Sequence, residues 1–347
     1  MRLQISIRHL GVALAITALA ACGSTSGPEA TTAETTATSA AAATSTTGEA
    51  ASPDAVAARI VVQAPSASGD GVYLLSSDGA LDVQLAPDAG SAKHPDWSPD
   101  GATLVFASDS DGSLWTVAAD GADPKQLLAC DDGCLALDFP AFAPDGRHIA
   151  YTRYEPPTGD GPPAASSIRV LDLDSMASTN VVRTMQPQLV DVARWSPDGS
   201  ELVVGIDVFD ADFNEAGSTI GLVNAAGGEI RQLVDPSTFA YAPDWNAATG
   251  EIVFSTETLQ YRAQPQAGDD TWNLWAIAAD GTGQRQITDV AAGQRLFQPS
   301  WSPDGTQILA TQESAAESSR RTVSIDPMNG TITPVSSVLT THARLQP

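Results

Sequence analysis

The pentapeptide Trp97-Ser98-Pro99-Asp100-Gly101 decides the fold, because it returns along the chain at intervals of about 50 residues. Each copy joins an aromatic residue to a short turn that ends in glycine, and the copies lie at 142–146, 195–199, 301–305 and, in a looser form, 245–250. Proline fixes the backbone of the first turn position, and Asp-Gly accepts the positive φ of a tight hairpin. Every copy therefore predicts a corner between two β-strands.

Three more strands follow from the residues around each corner. An apolar run such as Leu104-Val105-Phe106 comes directly after the turn, and a third run such as Leu114-Trp115-Thr116-Val117 leads to a second turn at Asp120-Gly121. A fourth short run, here Gln126-Leu127-Leu128, completes the unit. The pattern contains six such third and fourth strands, and a ring of four-stranded units leaves only short, protected sheet edges. The sequence therefore predicts an all-β, six-bladed β-propeller over residues 59–347.

Only five copies of the aromatic corner precede these strands, so one blade lacks its first strand. The C-terminal stretch Thr341-His342-Ala343-Arg344-Leu345-Gln346-Pro347 lines up with Asp191-Val192-Ala193-Arg194-Trp195-Ser196-Pro197, and Leu345 takes the place of the tryptophan. We therefore expect the C-terminal strand to pair into the first blade and close the ring. The alternative is a frayed end, as in many domains.

These repeats resemble the propeller domain of the TolB family. Its repeat has a tryptophan or phenylalanine followed by Ser-Pro-Asp-Gly, then a strand and an Asp-x-Asp-Gly corner, which Ser108-Asp109-Ser110-Asp111-Gly112 matches here. The resemblance covers residues 59–347 and implies a propeller with a binding role. It departs from TolB in front of the propeller, where TolB has an α/β domain and this chain has a stretch of small residues.

Residues 1–21 have the pattern of a bacterial lipoprotein signal peptide. Arg2 and Arg8 precede a short apolar run, and the run ends in Leu19-Ala20-Ala21-Cys22, which resembles a lipobox. We expect cleavage before Cys22 and lipidation of its thiol; the alternative is an ordinary signal peptide. Residues 22–58 are mostly Ala, Thr and Ser, which predicts a disordered tether. The expected location is the outer face of the cell membrane, or the periplasm of a host with an outer membrane.

The net charge limits the partners. Forty-two acidic residues against 17 Lys and Arg give a formal charge of −25 over 347 residues. A nucleic-acid-binding protein needs a basic face, and an anionic membrane surface repels such a chain. We therefore expect no nucleic acid, and contact with the membrane through the lipid anchor only.

Catalytic motifs are missing from the sequence. No nucleophile elbow or phosphate-binding loop follows a strand, and the repeated Asp100, Asp145, Asp198 and Asp304 are expected to cap turns rather than to act as paired carboxylates. We therefore predict no enzyme activity, no catalytic residue and no cofactor. In an exported protein the remaining cysteines, Cys130 and Cys134, are expected to form a disulfide.

Two sets of residues are candidates at the central channel. Asp96, Arg194, Asp244 and Arg344 each stand one position before the aromatic place, and they either pair with one another or hold a polar ligand or a peptide terminus. His94 and His342 stand three positions before it in adjacent blades. Together with Asp96 they are weak candidates for a metal site, and the alternative is two separate capping histidines.

Strand parity divides the propeller into two faces. The turns between first and second strands, and between third and fourth strands, form what we call the tight-turn face. The other turns and the crossovers form the long-loop face, which collects the variable segments 155–166, 207–218, 257–270, 313–319 and 130–134. Long loops on a rigid scaffold are frequent binding sites. The aromatic residues expected to be exposed there are Tyr154, Phe209, Phe213, Tyr261 and Trp272. Of these, Tyr154, Tyr261 and Trp272 are the candidates for contact with a ligand.

These patterns predict a lipid-anchored binding or scaffold protein that recognises a protein, a peptide or an envelope polysaccharide on the long-loop face. An alternative is a metal-assisted, lyase-like enzyme that processes polysaccharide with His94 and His342. A ring that only spaces other envelope components is a third hypothesis.

Overall fold

Short apolar runs between tight turns give a structure built almost entirely of β-strands. The computed structural model describes residues 59–67, 69–159, 161–257, 271–314 and 319–347. Helical structure within these ranges is limited to the 3-10 turns Pro87–Ala89 and Pro236–Thr238. The predicted signal peptide 1–21 and the predicted tether 22–58, with Cys22, lie outside the described residues.

The strands fall into four sets by their place in the repeat. The first strands are β4 (Ala92–Trp97), β8 (Ala136–Phe142), β12 (Gln188–Trp195), β16 (Ala240–Trp245), β20 (Gln294–Trp301) and β24 (Thr341–Leu345). The second strands are β1 (Ile60–Ser66), β5 (Thr103–Ser108), β9 (His148–Glu155), β13 (Glu201–Phe209), β17 (Glu251–Glu257) and β21 (Ile308–Ser314). The third strands are β2 (Gly69–Leu75), β6 (Leu114–Ala118), β10 (Ala165–Asp172), β14 (Glu215–Asn224), β18 (Trp272–Ala278) and β22 (Ser319–Ile325). The fourth strands are β3 (Leu81–Leu85), β7 (Lys125–Leu128), β11 (Ser178–Met185), β15 (Arg231–Gln232), β19 (Arg285–Gln286) and β23 (Ile332–Pro334).

The strand order confirms the predicted all-β propeller. Four sheets have four strands each, in the orders β24-β1-β2-β3, β4 to β7, β8 to β11 and β12 to β15. The remaining strands form one sheet, because a single parallel bridge between Trp272 and Arg295 joins β18 to β20. Each first strand contacts the next, and β24 contacts β4, so the first strands make a closed ring. The predicted number of six blades stays a prediction, since it depends on how the joined sheet is divided.

The C-terminal strand closes the first sheet, as the sequence predicted. In β24, Leu345 pairs with Ile60 and Arg344 with Val61 of β1 in antiparallel register. The Gln346 amide also donates to the carbonyl of Gly101 at 2.7 Å. The last strand of the chain is therefore the innermost strand of the first sheet.

All six first strands have a bulge at the same place. The residue three positions before the aromatic place has φ between 38° and 54°; these residues are His94, Phe139, Val192, Ala242, Gln298 and His342. The pairing with the second strand shifts its register at this point in every case. A bulge bends a strand and changes the direction of its side chains. The side chains next to the bulge therefore change direction in the same way in all six first strands.

The Pro-Asp-Gly corners are held by their own side chains. The Ser196 hydroxyl donates to Asp198 Oδ1 at 2.7 Å, and the Ser200 amide donates to the same oxygen at 3.0 Å. These hydrogen bonds, the Ser200 amide first, lower the pKa of Asp198 to about 2. Gly199 has φ 72°, which glycine adopts without strain. Asp198 thus caps its turn, as predicted for the repeated aspartates.

The core lies between facing sheets. One cluster packs Val203 and Leu222 of the β12–β15 sheet against Trp245 and Phe254 of the next sheet. Another packs Leu104 and Phe106 against Val61 and Val72. Each sheet therefore buries its apolar side chains against its neighbours. The part of the chain that the structure describes contains no helix that is long and apolar enough to cross a membrane.

Candidate binding surface and central channel

The four predicted channel charges lie together. Arg344 Nη1 is 3.0 Å from Asp244 Oδ1, and Arg344 Nε is 3.9 Å from Asp96 Oδ1. Arg194 Nε is 3.8 Å from the same Asp244 oxygen. Their side chains are between 9% and 16% exposed, so water screens these pairs weakly. The four charges pair with one another, which is the first of the two predicted alternatives. The second alternative, a polar ligand or a peptide terminus held by this ring, stays a prediction.

The same ring also fixes neighbouring repeats to each other. The second carboxylate oxygen of Asp96 accepts a hydrogen bond from the Phe142 amide at 2.8 Å, and that of Asp244 accepts one from the Trp301 amide at 2.7 Å. In the opposite direction, Trp97 Nε1 donates to the Arg344 carbonyl at 3.3 Å. These aspartates therefore have a structural role, because each one satisfies the backbone of the next first strand.

Burial shifts the pKa values in the ring. Burial first, and then the charge of Arg344, lowers the pKa of Arg194 to about 10. Burial raises the pKa of Asp96, although Arg344 and Arg194 oppose this shift. Within the described ranges, Arg194 Nε has no hydrogen-bond partner. Arg194 is thus the least well satisfied member of the ring.

His94 and His342 do meet, and their partners differ from the predicted set. Their ring centroids are 4.3 Å apart in an edge-on arrangement. His94 Nδ1 lies 2.5 Å from Asp138 Oδ1, and Lys93 Nζ lies 2.8 Å from the other oxygen of Asp138. Asp96, the third predicted metal ligand, accepts a hydrogen bond from the Phe142 amide of the neighbouring first strand instead.

Sequence reasoning missed Asp138 and Lys93, although a signal was present. Both stand four positions before the aromatic place, in successive repeats, and they have opposite charges. The carboxyl of Asp138 is buried, which alone would raise its pKa, but His94 and Lys93 hold the pKa below its usual range. In the described ranges, no group of three or more His, Cys, Asp or Glu side chains is arranged to hold a metal ion.

The environment of His342 predicts an acid-sensitive stability. Burial, and then the charges of His94, Arg194 and Arg344, lower its pKa well below 6.5, while Asp138 acts in the opposite direction. Below pH 6.5 the unfolded chain therefore binds a proton at His342 that the folded chain does not bind. The free energy of unfolding should fall by at most about 1.4 kcal/mol per pH unit from this residue.

Urea unfolding of the parent and of His342→Gln between pH 7.5 and 5.0 checks this expectation. The parent should lose stability relative to His342→Gln as the pH falls below 6.5, since glutamine does not titrate. The comparison between the two proteins removes the contributions of other titrating groups. Parallel curves for the two proteins would contradict the expectation.

Two of the aromatic residues predicted to be exposed are buried. Tyr154 is 2% exposed and Trp272 is 9% exposed, so the prediction that they project from the long-loop face is wrong. Tyr154 lies inside β9, where it pairs with Ser166 of β10, and Trp272 stacks on Tyr241 with ring centroids 5.0 Å apart. Both rings therefore pack within the fold. Tyr261 lies outside the described residues, and its contact with a ligand stays a prediction.

The predicted loop 207–218 is largely a hairpin. Strand β13 continues to Phe209 and β14 begins at Glu215, which leaves a short turn between them. Asp210 Oδ1 accepts hydrogen bonds from the amides of Asp212 and Asn214, each at 2.9 Å. The Phe213 side chain, at the tip, is 50% exposed. The long-loop face thus carries an exposed aromatic residue at Phe213, as expected, although Phe213 was not one of the three predicted ligand contacts.

Cys130 and Cys134 form a disulfide, as predicted. The bridge lies in the crossover between β7 and β8. Next to it, Arg153 Nη2 is 3.1 Å from Asp131 Oδ1. The disulfide therefore closes the crossover, and the Arg153–Asp131 ion pair attaches the crossover to the second strand of the following sheet.

Comparison with known sequences gives two partial matches. No protein-family profile matches the chain. A segment of 134 residues is 25% identical to an uncharacterized protein of Agrobacterium fabrum, covering 38% of this chain and 45% of that protein. A segment of 139 residues is 25% identical to a dipeptidyl-peptidase 5 of Porphyromonas endodontalis, covering 40% of this chain and 18% of the peptidase. The matches span less than half the length of either relative.

Comparison with solved structures shows the fold. TolB from Acinetobacter baumannii superposes with a TM-score of 0.61 and 14% identity, covering 84% of this chain and 67% of TolB. A putative TolB from Agrobacterium tumefaciens gives 0.58 and 17%, covering 82% and 91%. An oligogalacturonate lyase in complex with manganese gives 0.50 and 15%, covering 80% and 72%. The chain is therefore a β-propeller of the kind found in TolB proteins.

Proposed function

We propose that the chain is an extracytoplasmic binding or scaffold protein, with a six-bladed propeller that recognises a protein or a peptide on its long-loop face. The TolB-like fold is the observation that carries this proposal. The paired charges in the central ring add support, because Arg344 already binds Asp244 and the aspartates already bind backbone amides. With Asp96, Asp244 and Arg344 engaged inside the ring, the variable segments are the surface that differs from repeat to repeat.

The proposal includes the attachment and the location. Cys22 would carry the lipid, residues 22–58 would form the tether, and residues 59–347 would bind the partner outside the cytoplasmic membrane. An envelope polysaccharide is the other partner class that the proposal admits. The supporting observation is the lipobox-like Leu19-Ala20-Ala21-Cys22 after a short apolar run.

Crosslinking of the full chain in native membranes, followed by affinity capture, tests the proposal. Tyr261→Ala on the long-loop face should reduce the amount of captured partner and leave the melting temperature unchanged. Asp198→Ala on the tight-turn face should lower the melting temperature, because its turn loses three hydrogen bonds, and should leave capture intact. Trp272→Ala is unsuitable for this test, since removing its buried ring would destabilise the fold.

Tyr261→Ala and Asp198→Ala distinguish the two faces, because the first is expected to change partner capture and the second the melting temperature. Loss of capture in Asp198→Ala measured well below its melting temperature, with full capture by Tyr261→Ala, would assign binding to the tight-turn face and contradict the proposal. Absence of any crosslinked partner would favour a ring that only spaces other components.

A lyase-like enzyme is the second candidate. The fold resembles that of the oligogalacturonate lyase, and His94 and His342 are in contact. However, catalytic zinc sites have three protein ligands, and the described residues provide no such group. No catalytic step on a metal is therefore derived from the side chains in the described part of the chain. Metal analysis of the purified protein and a screen on acidic oligosaccharides test this candidate.

A further inference from the structure

Two large exposed apolar side chains lie on the long-loop face beside the junction of the β8–β11 and β12–β15 sheets. Phe213, at the tip of the β13–β14 hairpin, is 50% exposed, and Met185, at the end of β11, is 60% exposed. Exposed aromatic and methionine side chains are enriched in the centres of protein interfaces. Among the other large exposed apolar residues of the described ranges, Met176 and Met328 lie in turns of the tight-turn face, and Val338 and Leu339 lie in the β23–β24 crossover, elsewhere on the long-loop face.

The segment 161–163 lies between Phe213 and the chain that follows Met185. A Cβ placed on Gly161 would lie 3.6 Å from the Phe213 ring, so the ring packs beside the segment that precedes β10. Directly after Met185, the Gln186 side chain donates to the carbonyl of Pro162 at 3.3 Å and to that of Pro163 at 2.9 Å. Gly161 thus lies beside Phe213, and Gln186 ties the chain after Met185 to the same segment. We call Met185, Gly161, Pro162 and Phe213 the Phe213 patch.

The surroundings of the patch are acidic. Asp210, Asp212 and Glu215 are exposed around Phe213, and the sequence has no lysine or arginine between Arg194 and Arg231. The nearest arginine on β11, Arg183, is neutralised by Glu155, with Nη2 and Oε2 2.7 Å apart. Negative charges around an apolar centre favour association with a basic surface and disfavour association with an acidic one.

The hairpin tip presents Phe213 in a fixed position. The Phe213 amide donates to the Asp210 carbonyl at 3.1 Å, and the Asp210 amide donates to the Asn214 carbonyl at 2.8 Å. The Phe209 amide, at the end of β13, donates to the Pro187 carbonyl at 2.8 Å, which ties the hairpin to the chain that follows Met185. A hairpin tip whose backbone is already ordered loses less entropy when a partner binds.

We propose that the Phe213 patch binds a basic segment of a protein partner, with an apolar side chain of that segment against Phe213 and Met185 and its lysines or arginines against Asp210, Asp212 and Glu215. The inference rests on the proposed function and specifies its site and the chemistry of its partner. Recognition through one apolar anchor within a charged rim is a common arrangement of interface hot spots.

Binding of short synthetic peptides to the full chain tests the inference by fluorescence anisotropy. The peptides have one central leucine or serine, flanked by lysines, by glutamines or by glutamates. The leucine peptide with lysines should bind at least about 10-fold more tightly than the version with glutamates or the version with serine. Its affinity should fall with added salt, because exposed charge pairs are screened.

Substitutions with matched controls locate the site. Phe213→Asn and Met185→Ser should each weaken the lysine–leucine peptide by about 10-fold, and asparagine accepts the φ of 61° at position 213, so the turn is retained. Asp212→Lys should weaken binding and reduce its dependence on salt. Met328→Ser on the tight-turn face and Asp82→Lys on β3 are the controls and should bind like the parent.

Several results would overturn the inference. Equal binding of the peptides with lysines and with glutamates would exclude the charge complementarity, and unchanged binding by Phe213→Asn would exclude the patch. Self-association of the parent that Phe213→Asn abolishes in analytical ultracentrifugation would assign the patch to a second copy of the chain. Capture from membranes that survives Phe213→Asn but not Tyr261→Ala would retain the proposed function and reject this site.

Discussion

Deletion of residues 341–347 should abolish the single cooperative unfolding transition. The deletion removes β24, and with it the pairing to Ile60 and Val61 of β1. It also removes the Arg344 carbonyl that accepts from Trp97 Nε1, and the Ala343 carbonyl that accepts from the Ser300 hydroxyl at 2.7 Å. The first sheet would then present an open inner edge to the channel.

Thermal unfolding followed by near-ultraviolet circular dichroism measures this effect. A broad transition or aggregation is expected for the deletion, in place of the sharp transition of the parent. Removal of Pro347 alone is the control, because this exposed residue lies beyond β24 and should change nothing. A deletion variant that melts like the parent would show that the ring does not depend on the C-terminal strand.

Asp244→Ala should be the most destabilising single change in the central ring. The substitution leaves Arg344 without its 3.0 Å partner and the Trp301 amide without its acceptor, both in a buried place. Removing one partner of a buried ion pair typically costs about 3–5 kcal/mol of unfolding free energy. Urea unfolding at pH 7 gives the value directly.

Asp244→Asn separates the charge from the hydrogen bond, since an amide oxygen can still accept from Trp301. We expect a loss of stability between those of the parent and of Asp244→Ala. Asp198→Ala serves as the exposed comparison and should cost much less, because water replaces its hydrogen bonds. A cost for Asp244→Ala no greater than that for Asp198→Ala would mean that the ring charges contribute little to stability.

The fold could be predicted from the sequence because its determinants are local. Trp97-Ser98-Pro99-Asp100-Gly101 and its copies specify their own turns through proline, aspartate and glycine. The spacing of these turns also aligns Leu345 with the repeated tryptophans. This alignment was sufficient to predict that β24 pairs into the first sheet. A repeat makes such inferences stronger, since each copy supports the others.

The candidate site was predicted only in part, because it depends on how neighbouring sheets pack. The alignment brought Asp96, Arg194, Asp244 and Arg344 together correctly, yet their pairing distances depend on the bulges in the first strands. Nothing in the local sequence marks these bulges, since the residues with positive φ include Val192 as well as His94. The register of the first strands was predictable, but the direction of their side chains was not.

The aromatic residues show the same limit. Tyr154 was assigned to a loop edge, but β9 extends as far as Glu155 and buries it. Phe213 was one of many aromatic residues near variable segments, and only the length of the β13–β14 hairpin shows that it stands at an exposed tip. The point at which a polar strand ends depends on its partner strand as much as on its own residues.

Hydrogen exchange of the full chain with and without its captured partner tests most directly whether the long-loop face is the binding surface. The proposed function predicts slower amide exchange on binding in segments 131–135, 161–164 and 210–214, and unchanged exchange at the Pro-Asp-Gly corners 98–101, 196–199 and 302–305. Slower exchange at those corners, with no change in the long-loop segments, would contradict it.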